Sequence, residues 1–207
     1  MGPLDVLNRD DGTKVCPWGE SHSDYADYHD QEWGVPETSD FRLYEKVCLE
    51  GFQAGLSWLT ILRKRENFRR AFLNFDIEKV AGFTHKDVAR LMEDAGIIRH
   101  RGKIEATITN AQKAFRLIDR YGSLSSFVWS FEPDNAKANV VNGAQLVRSV
   151  SEESTQMSTA LKKLGWKFVG PTTCYSLMQA NGIVNDHLPD CYRWSEIEEL
   201  RSVLTRP

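Results

Sequence analysis

No apolar run in the 207 residues approaches the roughly 20 consecutive positions that a membrane-crossing helix requires. The opening residues 1–14 are polar and rich in turn-forming types, with no signal-peptide core, so a cytoplasmic protein is expected and no membrane partner. There is no surplus of positive charge either. Lys+Arg 26 against Asp+Glu 29 gives a formal net charge of -3, which excludes a global attraction for polyanions and confines any such binding to local patches. Cysteine is scarce: four residues without a secretory signal point to reduced, metal-bound or core thiols rather than disulfides. Internal repeats, low-complexity tracts, a phosphate-binding glycine loop, an HExxH pair and a Ser/His/Asp order are all missing.

Aromatic side chains are present in quantity. Six Trp, six Tyr and ten Phe, with 27% charged residues, describe a globular chain long enough for one sizeable core. Apolar positions recur almost everywhere with a period near 3.6, so the fold class is all-α. Residues 1–14 read as a loose tail and Val15 to Ser39 as a loop-rich, aromatic segment without a helical period. Helices are expected from Asp40, through Trp58 to Leu62, from a capping box at Thr84, from about Arg99 to Tyr121, and over Leu124 to Trp129 behind Ser123. Residues 133–143 read as a polar connection, and 140–150 as either strand or loop. Further helices are expected from Ser154 to Gly165, from Thr172 to about Ala180, and from a second capping box at Ser195.

One carboxylate stands out inside an apolar and aromatic run, Cys48-Leu49-Glu50-Gly51-Phe52-Gln53-Ala54-Gly55-Leu56-Ser57-Trp58. An ionised acid in such surroundings costs several kcal/mol or titrates upward unless something polar or cationic meets it. Glu50 is either satisfied by nearby donors of the protein or open to a ligand that carries them. Gly51 and Gly55 follow it, four residues apart, which suggests a backbone approached closely by something, such as a pocket mouth.

Cys16 and His29 lie near one end of the chain, His187 and Cys191 near the other. Two thiolates and two imidazoles suit a closed tetrahedral Zn²⁺ site that would tie the ends together and hold an irregular segment in shape. Neither half has a common finger spacing, so satisfied histidines and free thiols remain open on spacing alone. Cys48 and Cys174 read as core. A glycine turn between two helices, Leu164-Gly165-Trp166-Lys167-Phe168-Val169-Gly170-Pro171-Thr172, has the shape of a hairpin that can offer backbone amides to a phosphate. Any helical hairpin needs such a turn, and the basic run Arg99-His100-Arg101-Gly102-Lys103 is equally compatible with a solvated face. Trp18, Tyr25, Tyr28, Trp33 and Trp58 crowd the same segments as Glu50 and the metal-type residues, either as core or as faces for an electron-poor ring.

Four ordered segments are more specific: Tyr28-His29-Asp30-x-Glu32-Trp33-Gly34-Val35-Pro36, Leu49 to Trp58, Asp94 to Ile104, and Phe168 through His187. Together they resemble the family of 3-methyladenine DNA glycosylase I, in the helix-hairpin-helix DNA glycosylase superfamily, over nearly the whole span from Cys16 to Cys191. The resemblance implies a single unit over 15–194, with a zinc lobe from 15–39 and 183–194, a helical lobe from 40–182 with its hairpin near 161–180, and a C-terminal helix at 195–207. It implies one structural zinc on Cys16, His29, His187 and Cys191. It also implies that Glu50 accepts hydrogen bonds from a flipped base, Tyr28 adds a polar contact, and Trp58 and Trp18 stack. Tyr25 and Trp33 would line the site, and Leu56 would wedge into the duplex beside Gly55 and Gln53. The hairpin contacts to backbone would come from Gly170, Thr172 and Lys167.

The activity so implied is hydrolysis of the N-glycosidic bond of 3-methyladenine in double-stranded DNA, with the free base as product, by a monomer associated with the nucleoid. Thr172 stands where strand-cleaving relatives such as endonuclease III place a Schiff-base lysine, so no lyase activity is expected. The catalytic Asp expected after the hairpin has no clear equivalent; Asp186 only loosely covers that place and is a candidate for orienting His187. Two other readings stand beside this one: a non-catalytic zinc-stabilised DNA-binding module with a blocked pocket, and an enzyme acting on a different base.

Overall fold

A computed structural model describes residues 5–134, 140–141, 144–145 and 148–207; the polar connection expected at 133–143 lies largely outside them. Ten helices make up the described part: α1 Ser23–Gln31, α2 Asp40–Gln53, α3 Trp58–Ala71, α4 Ile77–Ala81, α5 His85–Glu93, α6 Arg101–Tyr121, α7 Leu124–Trp129, α8 Glu152–Lys163, α9 Pro171–Ala180 and α10 Tyr192–Val203. Two short hairpins complete it, β1 Leu7–Asn8 with β2 Lys14–Val15, and β3 Val140–Val141 with β4 Ala144–Gln145. The fold is all-α with these small additions. Among the described residues no helix is long and apolar enough to cross a membrane.

The core forms around α2. Leu43, Tyr44, Val47, Cys48, Leu49 and Phe52 are all at most 3% exposed, because α3, α6, α7 and α9 each pack against this one helix. Side chains so buried contribute roughly 1.5–3 kcal/mol each through removal of apolar surface from water. Asp40, at the start of α2, accepts from the amides of Leu124 and Ser125 and so anchors the N-terminus of α7. Cys48 and Cys174 are buried thiols, each pushed up to about 12 by desolvation, as core residues should be.

The caps expected at Thr84 and Ser123 are present. Four local expectations are corrected. Residues 23–31 form α1, capped by His22, and the buried face of the helix carries Tyr28 and His29 rather than an aliphatic stripe. Helix α8 starts behind Ser151, not Ser154, because the two serines cap each other reciprocally. Helix α10 begins at Tyr192 immediately after Cys191, and the anticipated box at Ser195 lies inside it. The opening segment is also tied down from Leu7 onward: β1 pairs with β2, and Arg9 bonds Glu20 and Asp30.

Helices α8 and α9 pack against each other across a short turn. Gly165 takes φ 89°, the left-handed conformation that closes a helix end. Asn110 of α6 then holds the turn by accepting from the Lys167 amide at 2.8 Å and donating to its carbonyl at 3.0 Å. Backbone meets backbone after α9: Gly34 donates to the Ala180 carbonyl, Glu37 donates to that of Asn181, and a Cβ on Gly182 would stand 2.7 Å from the Pro36 nitrogen. That contact brings the segment after α1 against the segment leading to His187.

Candidate functional site

Two neighbouring features arise where α1, α2, α3 and the 183–191 segment meet. The first is a cavity of about 520 Å³ lined by Trp18, Tyr25, Tyr28, Trp33, Trp58, Glu50 and Gln53, together with Ser176, Gln179 and Asp186 from the opposite wall. All six residues expected at the base site therefore come together there. Their placement is local in origin. Tyr25 and Tyr28 share one face of α1, and the Tyr25 hydroxyl accepts from the Leu59 amide at 2.9 Å, pinning α1 to the start of α3. Trp18 lies in the 3₁₀ turn ahead of α1 and packs edge-on against Tyr25 and Trp33, with centroids 5.9 and 4.9 Å away. Trp58 opens α3 and faces Tyr28 at 5.6 Å.

Glu50 is 6% exposed on α2. Among the described residues it accepts no hydrogen bond and forms no ion pair within 4.0 Å, so nearby donors of the protein do not satisfy it. Burial pushes its carboxyl up to about 7, an effect partly offset by the positive charge of Lys46 one helical turn earlier. Tyr28 is raised well above the ordinary phenol range, by burial first and by the Glu50 charge second. The indole N–H of Trp58 is also buried without a partner. The cavity thus offers aromatic faces and a carboxylate that no described residue engages. Such a set recognises a flat ring that carries N–H groups and positive charge.

The second feature is the group Cys16, His29, His187 and Cys191. All four are buried, with ligand atoms within 4.8 Å of one another. Cys191 Sγ lies 3.5 Å from His29 Nε2 and 3.8 Å from His187 Nδ1, and Cys16 Sγ lies 3.8 Å from His187 Nδ1. Those separations match the roughly 3.3–3.8 Å edges of a tetrahedron with metal bonds of about 2.0–2.3 Å. The remaining imidazole nitrogens are engaged: His29 Nδ1 is 2.8 Å from Asp30, and His187 Nε2 is 3.0 Å from the Trp33 carbonyl. Both acceptors favour the tautomer that leaves the inner nitrogen free for a metal. The acceptor that meets the outer nitrogen of His187 is the Trp33 carbonyl, and Asp186 has other partners. Its carboxylate receives Tyr175 Oη at 2.9 Å and Gln179 Nε2 at 2.6 Å and faces the cavity.

The residues expected to meet DNA occupy two exposed turns. Gly55 and Leu56 lie in the α2–α3 connection, Gly55 with φ 82° and Leu56 41% exposed, while Gln53 reaches the cavity. Lys103 is not a surface cation. It is buried, and its ammonium donates to the carbonyls of Phe52 and Ala54 at 2.9 and 2.6 Å, closing the end of α2. Gly170 caps α9, Thr172 is exposed in its first turn, and Lys167 is exposed in the hairpin turn. Phe168 of the second turn lies against Gly51 in the last turns of α2.

Sequence alone does not single out Lys46, Ser176 and Gln179. Of the three, Lys46 is the accessible one, since it precedes Glu50 by one turn on the same helix face.

Comparison with known proteins agrees with this geometry. The methyladenine glycosylase family profile matches residues 18–194. The DNA-3-methyladenine glycosylase of Haemophilus influenzae is 48% identical over 180 residues, covering 86% of this chain and 97% of its own. DNA-3-methyladenine glycosylase 1 of Escherichia coli is 49% identical over 176 residues, covering 85% and 94%. The structure of 3-methyladenine DNA glycosylase I from Staphylococcus aureus, solved to explain recognition of 3-methyladenine, aligns with TM-score 0.80 at 39% identity, covering 87% of this chain and 96% of that one. On both the sequence match and the shared fold, this chain belongs to the methyladenine glycosylase family.

Proposed function

We propose that the protein is a monofunctional DNA glycosylase that hydrolyses the N-glycosidic bond of 3-methyladenine in alkylated duplex DNA and leaves an abasic site. The observation that carries this reading is the unpartnered, buried carboxylate of Glu50 at the base of an aromatic cavity of about 520 Å³. In DNA, methylation at N3 gives adenine a fixed positive charge. A carboxylate and π-faces hold that cation in a dry site where neutral adenine gains far less. Glu50 accepts from the N–H edge of the extruded base, Tyr28 adds a hydroxyl contact, and Trp58 and Trp18 flank the ring between Tyr25 and Trp33.

The leaving base departs neutral, so the bond is already labile. Extruding the nucleotide, clamping the base and admitting water supply most of the rate, with little need for a strong general acid. The first turns of the α8–α9 hairpin and the α2–α3 connection act as the DNA-facing surface, with Gly170, Thr172 and Lys167 at the backbone and Leu56 filling the gap left in the stack. The absence of a lysine at Thr172 supports hydrolysis without strand cleavage.

Cys16, His29, His187 and Cys191 would hold one Zn²⁺. The donor set, the spacing and the two oriented imidazoles all suit it, and with four protein ligands its role would be structural. When bound it contributes folding energy to the wall that carries Trp18 and Trp33.

Release of 3-methyladenine from methylated duplex DNA tests the function. Wild type should release it and E50Q should lose about a hundredfold in kcat/KM, in line with removal of a charged transition-state contact. Absence of release by wild type overturns the reading; unchanged kcat/KM in E50Q overturns the role of the carboxylate.

A further inference from the structure

Lys46 approaches the base site from outside it. Its side chain lines a separate polar cavity of about 380 Å³, bordered by Glu32, Glu45, Arg65 and Arg69, and does not line the aromatic one. From there Nζ reaches the Tyr28 hydroxyl at 3.0 Å and stands 4.8 and 4.9 Å from the ring centroids of Tyr28 and Trp58. An ammonium has donors only, so in this bond the phenol oxygen must accept. The phenol proton then has to point elsewhere. Among the described residues nothing accepts it, and the open side of the ring is the cavity.

We propose that Lys46 is a positioning residue for the base site, acting through Tyr28 so that this phenol presents a hydrogen-bond donor, not an acceptor, to the bound base. This inference rests on the proposed glycosylase function and extends it. With Lys46 in place the cavity shows a fixed polarity: a donor at Tyr28 and acceptors at Glu50. That pattern admits a purine edge with both an amino group and a ring-nitrogen acceptor, and disfavours one whose donors would confront the phenol.

The ammonium also acts on Glu50 through space, one turn away on the same helix but beyond ion-pair distance. It opposes the effect of burial on that carboxyl. The other charged or titratable groups around the pair are Glu32 just after α1, Glu45 of α2, Arg65 of α3, and Asp186 and Arg148 of the aromatic cavity. Glu32 and Arg65 pair with each other in a bidentate contact at 2.5 and 2.7 Å, and burial lowers the pKa of the Lys46 ammonium while the Glu50 charge opposes that shift. The positive charge of Lys46 behind the rings also costs some affinity for a cation, so the proposal requires the polarity and ionisation effects to outweigh that cost.

The test measures how fast wild type, K46M, K46Q, Y28F and K46M/Y28F excise the methylated base, as kcat/KM between about pH 5 and about pH 9. The lesion in DNA carries a fixed charge, so the profile reports groups of the protein. K46M should lose about tenfold near neutral pH and its acid limb should move up by about one pH unit. K46Q keeps a donor to the phenol without the charge, so it should lose only about threefold while showing the same displaced limb. In the Y28F background the K46M loss should shrink to about threefold, because the hydroxyl through which Lys46 acts is gone. Thermal melts of each variant separate these effects from misfolding, and K46Q serves if K46M does not fold. Equal or higher kcat/KM in K46M, or a full tenfold loss in the Y28F background, overturns the role of Lys46. A wild type that excises nothing overturns the glycosylase reading, and this role with it.

Discussion

Arg9 Nη1 and Nη2 grip both carboxylate oxygens of Asp30, at 2.8 and 3.2 Å, and Asp30 in turn holds His29 Nδ1 at 2.8 Å. Arg9 lies in the β1–β2 hairpin, ahead of the residues matched by the family profile. Outer partners of metal-binding histidines commonly account for about 10–100-fold in metal affinity. R9A should therefore weaken zinc binding by about tenfold in a competition against a chromogenic chelator. An affinity equal to wild type would mean that Asp30 holds its orientation unaided.

Zinc removal is the coarser version of the same experiment. With the ion stripped by a strong chelator, the melting temperature should drop and intrinsic tryptophan emission should shift, since Trp18 and Trp33 pack on His29 and His187 at 5.3 and 4.6 Å. Readdition of Zn²⁺ should reverse both changes. A chelator-treated protein with unchanged melting and emission would exclude a structural ion.

Gly182, with φ 68°, is the tightest point between the two halves of the site. An added Cβ would stand 2.7 Å from the Pro36 nitrogen, which is rigid backbone. G182A combines that clash with left-handed strain and should destabilise by about 3 kcal/mol or more in urea denaturation. G170A makes the matched control. Gly170 has φ -66° and nothing within 4 Å of its virtual Cβ, so its stability should stay close to that of wild type.

The buried carboxylate predicts a pH dependence of stability. Glu50 titrates from an ordinary 4.5 when unfolded to about 7 when folded. Between those values the folded protein retains a proton that the unfolded chain has released, so this group lowers stability as pH rises through the window and stops doing so above it. The stability of E50Q relative to wild type should therefore grow by about 3 kcal/mol from about pH 4 to about pH 8. A difference that stays flat with pH would place the carboxyl in a wetter or better-partnered setting.

Leu56 is 41% exposed and sits outside the cavity lining. If it wedges into the duplex, L56A should slow excision from DNA by about tenfold, leaving the affinity for free 3-methyladenine and the melting temperature unchanged. Equal losses in excision and free-base affinity would assign Leu56 to the pocket instead.

Much of this organisation is visible in the residues because burial and chemistry disagree in plain sight. Glu50 inside an apolar run, and pairs of Cys and His at opposite ends, are costly unless used, and the structure gathers each set in one place. Helix α1 is not visible, because its inward face serves a cavity and a metal-type cluster with Tyr25, Tyr28 and His29, leaving no aliphatic period to detect. Lys103 is the converse case. Its position in a basic run suggests solvent, whereas the open carbonyls at the end of α2 recruit its ammonium inward. The cap of α8 is ambiguous in principle, since Ser151 and Ser154 each satisfy the other's amide.

Cys16 and Leu188 border the cavity that also contains Glu50, and Cys16 belongs to the cluster completed by Cys191. During synthesis on the ribosome, then, α2 and its acid can be made and even packed long before the recess has its far wall. The half-built chain displays aromatic surface but has no enclosed chamber for a damaged base. Competence should appear only once the stretch from Ser176 to Cys191 has joined Cys16 and Trp18.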